Sequence, residues 1–468
     1  MFSGHLLHKQ WEKILKLHIP AVGSIGKSTA FIMVIGAVFT VSELPASDTV
    51  LFSTDTFSSV EEATTAGWLR YSQRDEIRPD FFVADLPNTG GKGCLGISGA
   101  SNSSSNGCWR ITVPGIKGEN WYRFEALYQT RMVHLPRYQV IARLDWRNRE
   151  DKRVGQPEYV PDGERHGEWQ QVTGTFRAPE EAAAVYLELY LRFSDQGTVL
   201  WDSIRLAEVS APPERKVRVG TANCYPRDNT TSAESVEEFC RVAEDAGKQG
   251  CDIVCLGEGI NLAGVKGKIY PDIAEPIPGP TTKRLGEIAR KWEMYIVAAL
   301  GERDGHAVYN TAVLIDRQGR VAGRYRKVHL PREEIESGVT PGESYPVFDT
   351  DFGRIGMMIC WDVQYAEPAR ALAFQGAEMI FVPIWGGNVI LTQARAIENQ
   401  VHVVSSGYSI ASTIYDPWGN LLAEAKDRPG ITVVDIDLNE THPEPWLGNM
   451  RHRFYRELRT DIPVPGLE

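Results

Sequence analysis

The sequence has no segment dense in lysine and arginine, and its acidic residues outnumber the basic ones 61 to 50, for a formal net charge of −11. A nucleic-acid role therefore has little electrostatic support, because phosphate backbones are held by basic patches. Cysteine is also scarce. Seven in 468 residues is not the density of a disulfide scaffold, and the odd count leaves at least one thiol unpaired. The composition shows no bias toward disorder: 42% hydrophobic, 10% aromatic and 24% charged residues describe a folded chain with ample material for a core. The apolar run Ala30 to Val41 is shorter than the roughly 20 residues a membrane-spanning helix needs.

That run follows Lys9, Lys13, Lys16 and Lys27 and precedes Leu44-Pro45-Ala46-Ser47, the layout of a basic region, a short apolar region and a small-residue cut. Residues 1–46 are accordingly expected to be a signal segment, with an exported mature chain starting near Ser47. Among the cysteines, Cys94 and Cys108 flank the Gly/Ser/Asn-rich stretch Gly99 to Gly107, where a bridge and two buried thiols are both open. Cys224, Cys240, Cys251 and Cys255 lack zinc-ligand spacing and read as small core residues.

The length suggests two domains. From residue 47 to 210, short alternating runs separated by Gly, Pro and Asn predict an all-β sandwich or jelly roll, with strands at Trp121–Ala126, Tyr138–Trp146, Trp169–Phe176 and Ala184–Leu191. Loose cues such as Gly167-Glu-Trp-Gln-Gln-Val and Val199-Leu-Trp-Asp-Ser-Ile-Arg-Leu resemble carbohydrate-binding modules, which implies a possible glycan ligand. Trp121, Trp169 and Trp201 fit core positions, whereas Trp146, between Asp145 and Arg147, is the better sugar-stacking candidate. Residues 211–216 read as a linker.

Over 217–456 strands alternate with helical patterns, predicting a layered α/β domain, followed by a tail at 457–468. Three strand ends carry chemistry: Glu258 after Asp252-Ile-Val-Cys-Leu-Gly, Lys327 after Gly323-Arg-Tyr-Arg, and Cys360 after Gly356-Met-Met-Ile. A cation lowers a thiol's pKa, a carboxylate takes its proton, and the cation then faces a developing oxyanion, so the set needs no metal or cofactor.

The blocks around these residues resemble the nitrilase superfamily of carbon–nitrogen hydrolases: Leu256-Gly-Glu258, Tyr325-Arg-Lys327-Val-His-Leu-Pro, Pro341-Gly-Glu, Gly353-Arg-Ile-Gly-Met-Met-Ile-Cys360-Trp-Asp and Arg395-Ala-Ile-Glu-Asn-Gln-Val. The resemblance implies an α-β-β-α sandwich, a Glu258-Lys327-Cys360 triad, assembly into homo-oligomers, and an amide or N-carbamoyl substrate. A nitrile is the nearer rival substrate, and a non-catalytic exported carbohydrate-binding protein the more distant alternative. The chain departs from the family pattern at Gly257, where Pro is common. For the second, substrate-positioning glutamate, Glu333, Glu334 and Glu336 compete, with the offset from Lys327 favouring Glu334 and then Glu336. Trp361 is expected to complete an oxyanion hole through its N–H. His329 is assigned a structural hydrogen bond rather than the partner role that His usually plays beside a nucleophilic Cys. Asp362, Arg370 and Glu398 read as structural.

Overall fold

Alternating side chains, expected from the period of two along a strand, are what build the first half of the molecule. In the strand Trp121–Arg131, for example, Tyr122, Phe124, Ala126 and Tyr128 point inward. The computed structural model describes residues 48–54, 57–85, 93–441 and 443–463. The expected signal segment 1–46 and the start near Ser47 lie outside these residues. Among the described residues no helix is long and apolar enough to cross a membrane.

Two antiparallel sheets share one core. The seven-stranded sheet runs in the order Asp80–Ala84, Cys94–Ser98, Thr198–Val209, Trp121–Arg131, Trp169–Arg177, Asp162–His166, with Thr49–Ser53 pairing the second half of Thr198–Val209. The five-stranded sheet runs Leu69–Ser72, Asn106–Pro114, Ala184–Arg192, Val140–Arg147, Glu158–Tyr159. Trp68, Trp109, Trp146 and Trp201 all lie in the core between them. This corrects the reading of Trp146 as a sugar platform: it is 1% exposed and packs against Tyr122, so its ring is closed to a ligand. A second correction concerns the strand expected from Tyr138, because Pro136 starts a helical turn, Pro136–Gln139, and the strand begins at Val140.

Cys94 and Cys108 are free. The pleat explains why. Their neighbours Leu95 and Trp109 point into the shared core, so the two cysteines face outward from opposite sheets. Cys94 Sγ donates to Asp202 Oδ2 at 3.3 Å, while Cys108 packs with Ile141, Tyr159 and Tyr190.

The second half stacks two six-stranded sheets. One is ordered Val321–Arg326, Ala307–Ile315, Tyr295–Asp304, Ile253–Cys255, Lys216–Asn223, Gly430–Asp437, and the other Val347–Asp349, Arg354–Met357, Met379–Ile384, His402–Gly407, Ser412–Tyr415, Leu421–Ala425. Val219, Ile253 and Val297 of the first meet Ile355, Met357 and Phe381 of the second in a common core. Helices Ser232–Lys248 and Pro280–Trp292 cover the outer face of the first sheet, and Glu367–Phe374 and Val389–Asn399 that of the second, giving four α-β-β-α layers. Helix Ser232–Lys248 starts where it does because Thr231 and Glu234 form a capping box, each side chain meeting the other's backbone N–H.

The two halves belong to one compact unit. The residues read as a linker are partly fixed: Lys216 already opens the first strand, and Arg215 binds Glu378 at 2.7 and 3.1 Å and Asn439 at 2.7 Å. The last helix, Met450–Glu457, bridges the halves. Arg456 Nη2 donates to Val160 O and Asp162 Oδ1 of the sandwich, both at 2.8 Å, while Arg451 Nη2 donates to Gly376 O and Ala377 O at 3.2 and 3.1 Å.

Candidate active site

Each of the three strand-end residues is delivered by a different local device. Glu258 follows the buried strand Ile253–Cys255 through a turn that Gly257 makes possible. A Cβ at Gly257 would sit 2.4 Å from Tyr408 Oη, which donates to the Glu258 carbonyl at 2.5 Å. The glycine that departs from the family pattern therefore leaves room for a tyrosine that ties down the backbone at Glu258. Lys327 follows Val321–Arg326 and is held by its N–H to Asn310 O at 2.9 Å. Cys360 leaves the strand Arg354–Met357 and opens a short 3-10 turn, Cys360–Gln364, with φ of +44°. A side-chain-bearing residue in the left-handed region costs on the order of 1–3 kcal/mol, strain stored at the one thiol of the cluster.

The structure brings these groups together. Lys327 Nζ is fully buried and donates to Glu258 Oε1 at 2.9 Å and to Glu334 Oε1 at 2.7 Å. Asn310 Nδ2 donates to the same two oxygens at 2.8 and 3.1 Å, and the Trp385 N–H donates to Glu258 Oε2 at 2.8 Å. Cys360 Sγ points to Gly386 O at 3.6 Å and lies in the electrostatic field of both Glu258 and Lys327. Isolated buried charges are costly, so one ammonium between two carboxylates persists only because each partner is hydrogen-bonded.

The electrostatics sort the protons. Burial first, and then the Glu258 carboxylate, push the Cys360 thiol up to about 12 against the opposing pull of Lys327. Burial works against the Lys327 ammonium, yet Glu258, Cys360 and Glu334 hold it well above its usual range. Burial also raises Glu334, with Lys327 opposing and Glu258 adding. Both shifts favour a proton held on Cys360 and on Lys327.

Of the three competing glutamates only Glu334 joins the cluster. Glu333 and Glu336 stand at the surface, each near Arg332 at 3.1 and 3.8 Å, because the helix Arg332–Glu336 turns them away from the face that carries Glu334. Glu336 is thereby removed as a positioning residue. Trp361 follows Cys360 and is 40% exposed, and its backbone N–H adjoins Cys360 by sequence. His329 Nδ1 pairs with Asp362 Oδ1 at 3.0 Å and its ring stacks on Tyr365 at 4.0 Å. Among the described residues no hydrogen bond joins it to Cys360. Asp362 also accepts from Tyr325 Oη at 2.8 Å and from the His329 and Ile359 N–H groups at 3.0 Å, a structural hub under the turn that opens with Cys360. Glu398 anchors Arg395, whose guanidinium donates to Val363 O in that turn at 3.1 and 3.2 Å.

Sequence reasoning missed Asn310, Tyr408 and Tyr270. Asn310 was visible as a polar residue at the mouth of an apolar strand. Tyr270 Oη, Asn310 Oδ1 and Glu334 Oε2 are buried without a hydrogen-bond partner, acceptors and a donor that a substrate amide can satisfy. Among the described residues no cluster of His, Cys, Asp or Glu has the arrangement of a metal site.

Comparison with known proteins adds an independent line. A family model described as carbon-nitrogen hydrolase matches residues 205–443. Omega-amidase NIT2 of Bos taurus is 32% identical over 238 residues, 45% of this chain and 86% of that protein. The corresponding Homo sapiens protein is 30% identical over 262 residues, 50% of this chain and 92% of its own length. The crystal structure of an amidase from Nesterenkonia sp. superposes with a TM-score of 0.44 at 25% identity, covering 47% of this chain and 90% of that one.

Proposed function

Because the chain belongs to the carbon-nitrogen hydrolase family and is an enzyme of that class, we propose that it cleaves a non-peptide amide or an N-carbamoyl substrate through a thioester on Cys360. The observation that carries this reading is the fully buried Lys327 side chain held between Glu258 and Glu334 in the same cluster as the Cys360 thiol. The names of the omega-amidase relatives support an amide as the bond broken.

A thiol pushed up to about 12 is a poor nucleophile at neutral pH until a base takes its proton. In the proposed sequence Glu258 accepts the Sγ proton as the thiolate attacks the carbonyl carbon. Lys327 and the Trp361 N–H stabilise the oxyanion of the tetrahedral intermediate. Glu258 then gives the proton to the departing nitrogen, ammonia or an amine leaves, and the C–S bond remains. Next Glu258 deprotonates a water that attacks the thioester, and the proton returns to Sγ as the acid leaves. From a carbamoyl substrate the acid is a carbamate that loses carbon dioxide. Glu334 positions the substrate nitrogen with its unpaired Oε2. We read the segment ahead of Ser47 as directing this activity outside the cytoplasm.

The test is a panel of primary amides, N-carbamoyl amines and nitriles given to the full chain, with products identified by mass spectrometry and Cys360→Ala as control. Amides should yield acid and ammonia, carbamoyl amines should yield amine, carbon dioxide and ammonia, and the control should yield none. Turnover of nitriles alone, or undiminished turnover by Cys360→Ala, overturns the reading.

A further inference from the structure

A cavity of about 600 Å³ opens where the sandwich, the outer helices of the second hydrolase sheet and the terminal helix meet. It contains none of the groups assigned to amide cleavage. Its volume lies in the range of small-molecule sites, roughly 300–1,000 Å³. Four arginines line it, Arg215, Arg354, Arg370 and Arg451, of which Arg354 is taken by Asp349 at 2.7 Å, and the carboxylates left in the wall are too few for the other three. Arg215 and Arg451 both face Glu378, at 2.7 and 4.0 Å. The Arg370 guanidinium has no hydrogen bond or ion pair among the described residues and lies near the rings of Phe374 and Phe454 at 5.5 and 5.3 Å. Asp162 in the same wall is taken by Arg456 at 2.8 Å, and Glu440 is exposed at the rim. This cationic excess stands out in a chain of net charge −11.

Two further polar atoms in the wall are orphaned: Oδ1 of Asn399, a residue 3% exposed, and Nδ1 of His452. Buried polar atoms in folded proteins are nearly always paired, so orphans beside unmatched cations point to a missing group. Loss of solvent also lowers the pKa of both Arg370 and Arg451, a cost that a bound negative charge offsets.

We infer that this junction cavity binds a small oxyanion-bearing molecule, a phosphate or a polycarboxylate, through Arg370 and Arg451, with Asn399 accepting from its hydroxyl or protonated oxygen. Guanidinium is the group suited to planar two-point contact with such anions. The site is not remote in structure from the chemistry. Asn399 Nδ2 donates to Arg395 O at 2.9 Å, and Arg395 donates to Val363 O in the turn that opens with Cys360.

Calorimetric titration of full-length Cys360→Ala protein with inorganic phosphate and with citrate, at constant ionic strength set by chloride, tests the site apart from the amide-cleaving centre. One saturable event with at least one probe is expected, and the probe that binds identifies the anion class. Arg370→Gln and Arg451→Gln should each weaken it at least tenfold, and Arg370→Lys should recover part of the loss. The Arg370 guanidinium makes no hydrogen bond among the described residues, so its variants should melt like the parent. Absence of saturable binding with both probes, or unaltered binding by both glutamine variants, overturns the inference.

Discussion

At the residue scale, Cys360 is a thiol that its surroundings keep protonated. Burial and the Glu258 carboxylate outweigh Lys327, so the free enzyme is expected to show no thiolate plateau near neutrality. Because the pKa is raised, the reactive form is scarce below it and grows tenfold per pH unit. Alkylation of Cys360 by iodoacetamide, followed by mass spectrometry, should therefore keep accelerating from pH 6 to 10. A rate that levels off by pH 8 would mean a preformed thiolate and a different division of labour. The three residues that meet in the buried cluster were legible because each stands at a strand end inside a recognisable block. What those blocks did not carry was the support: Tyr408 reaches the Glu258 carbonyl from 150 positions away in the chain, and nothing in the local sequence marks it. The choice between Glu334 and Glu336 likewise depended on which face of a one-turn helix meets Lys327.

At the scale of the elements, period-two alternation located four of the sandwich strands to within a few residues, and strand–helix alternation located the hydrolase layers. Alternation fixes which side chains share a face but not which strands are neighbours. That is why the fate of Cys94 and Cys108 stayed open and why Trp146 was taken for a surface residue. The strand Glu158–Tyr159 illustrates the energetic side of the same limit. Glu158 Oε2 is buried without a partner, and burial pushes its carboxyl up to about 7. The sign follows from the raised folded-state value. The proton is bound more tightly in the folded chain, so the penalty is absent below the unfolded pKa near 4.5, grows as pH rises toward 7, and is complete above it. Glu158→Gln should raise Tm at pH 8 and change it little at pH 4.5. A gain that is equal at both values, or a loss at pH 8, would show that the carboxylate is matched by a partner.

At the scale of the whole molecule, the change from alternating strands to alternating strands and helices near Lys216 was legible, but the union of the two halves in one compact unit was not. The terminal helix reads as the end of the hydrolase half, yet Arg456 pairs with Val160 and Asp162, residues nearly 300 positions earlier. Long-range pairing of this kind leaves no periodic trace. Because Arg456 is buried and Asp162 would be left without its cation, Arg456→Ala should cost about 3 kcal/mol, the scale for breaking a buried pair. A thermal melt should show a lower Tm, or the sandwich and hydrolase transitions drawn apart; an unchanged melt would mean that the helix is not what couples them.

The central claim is that Cys360 reacts with Glu258 and Lys327 as its working partners, and that His329 only supports the fold. The measurement that tests it most directly is the initial rate of ammonia release from one amide substrate by the wild type and four variants. Cys360→Ala should give none, since no other group in the cluster can form the thioester. Glu258→Gln and Lys327→Ala should each fall by at least about a hundredfold, the scale for losing a proton-transfer or oxyanion group. His329→Ala, checked for folding, should keep substantial activity. If His329→Ala is as inactive as Cys360→Ala while Glu258→Gln still turns over, the assignment is contradicted and a Cys-His mechanism takes its place.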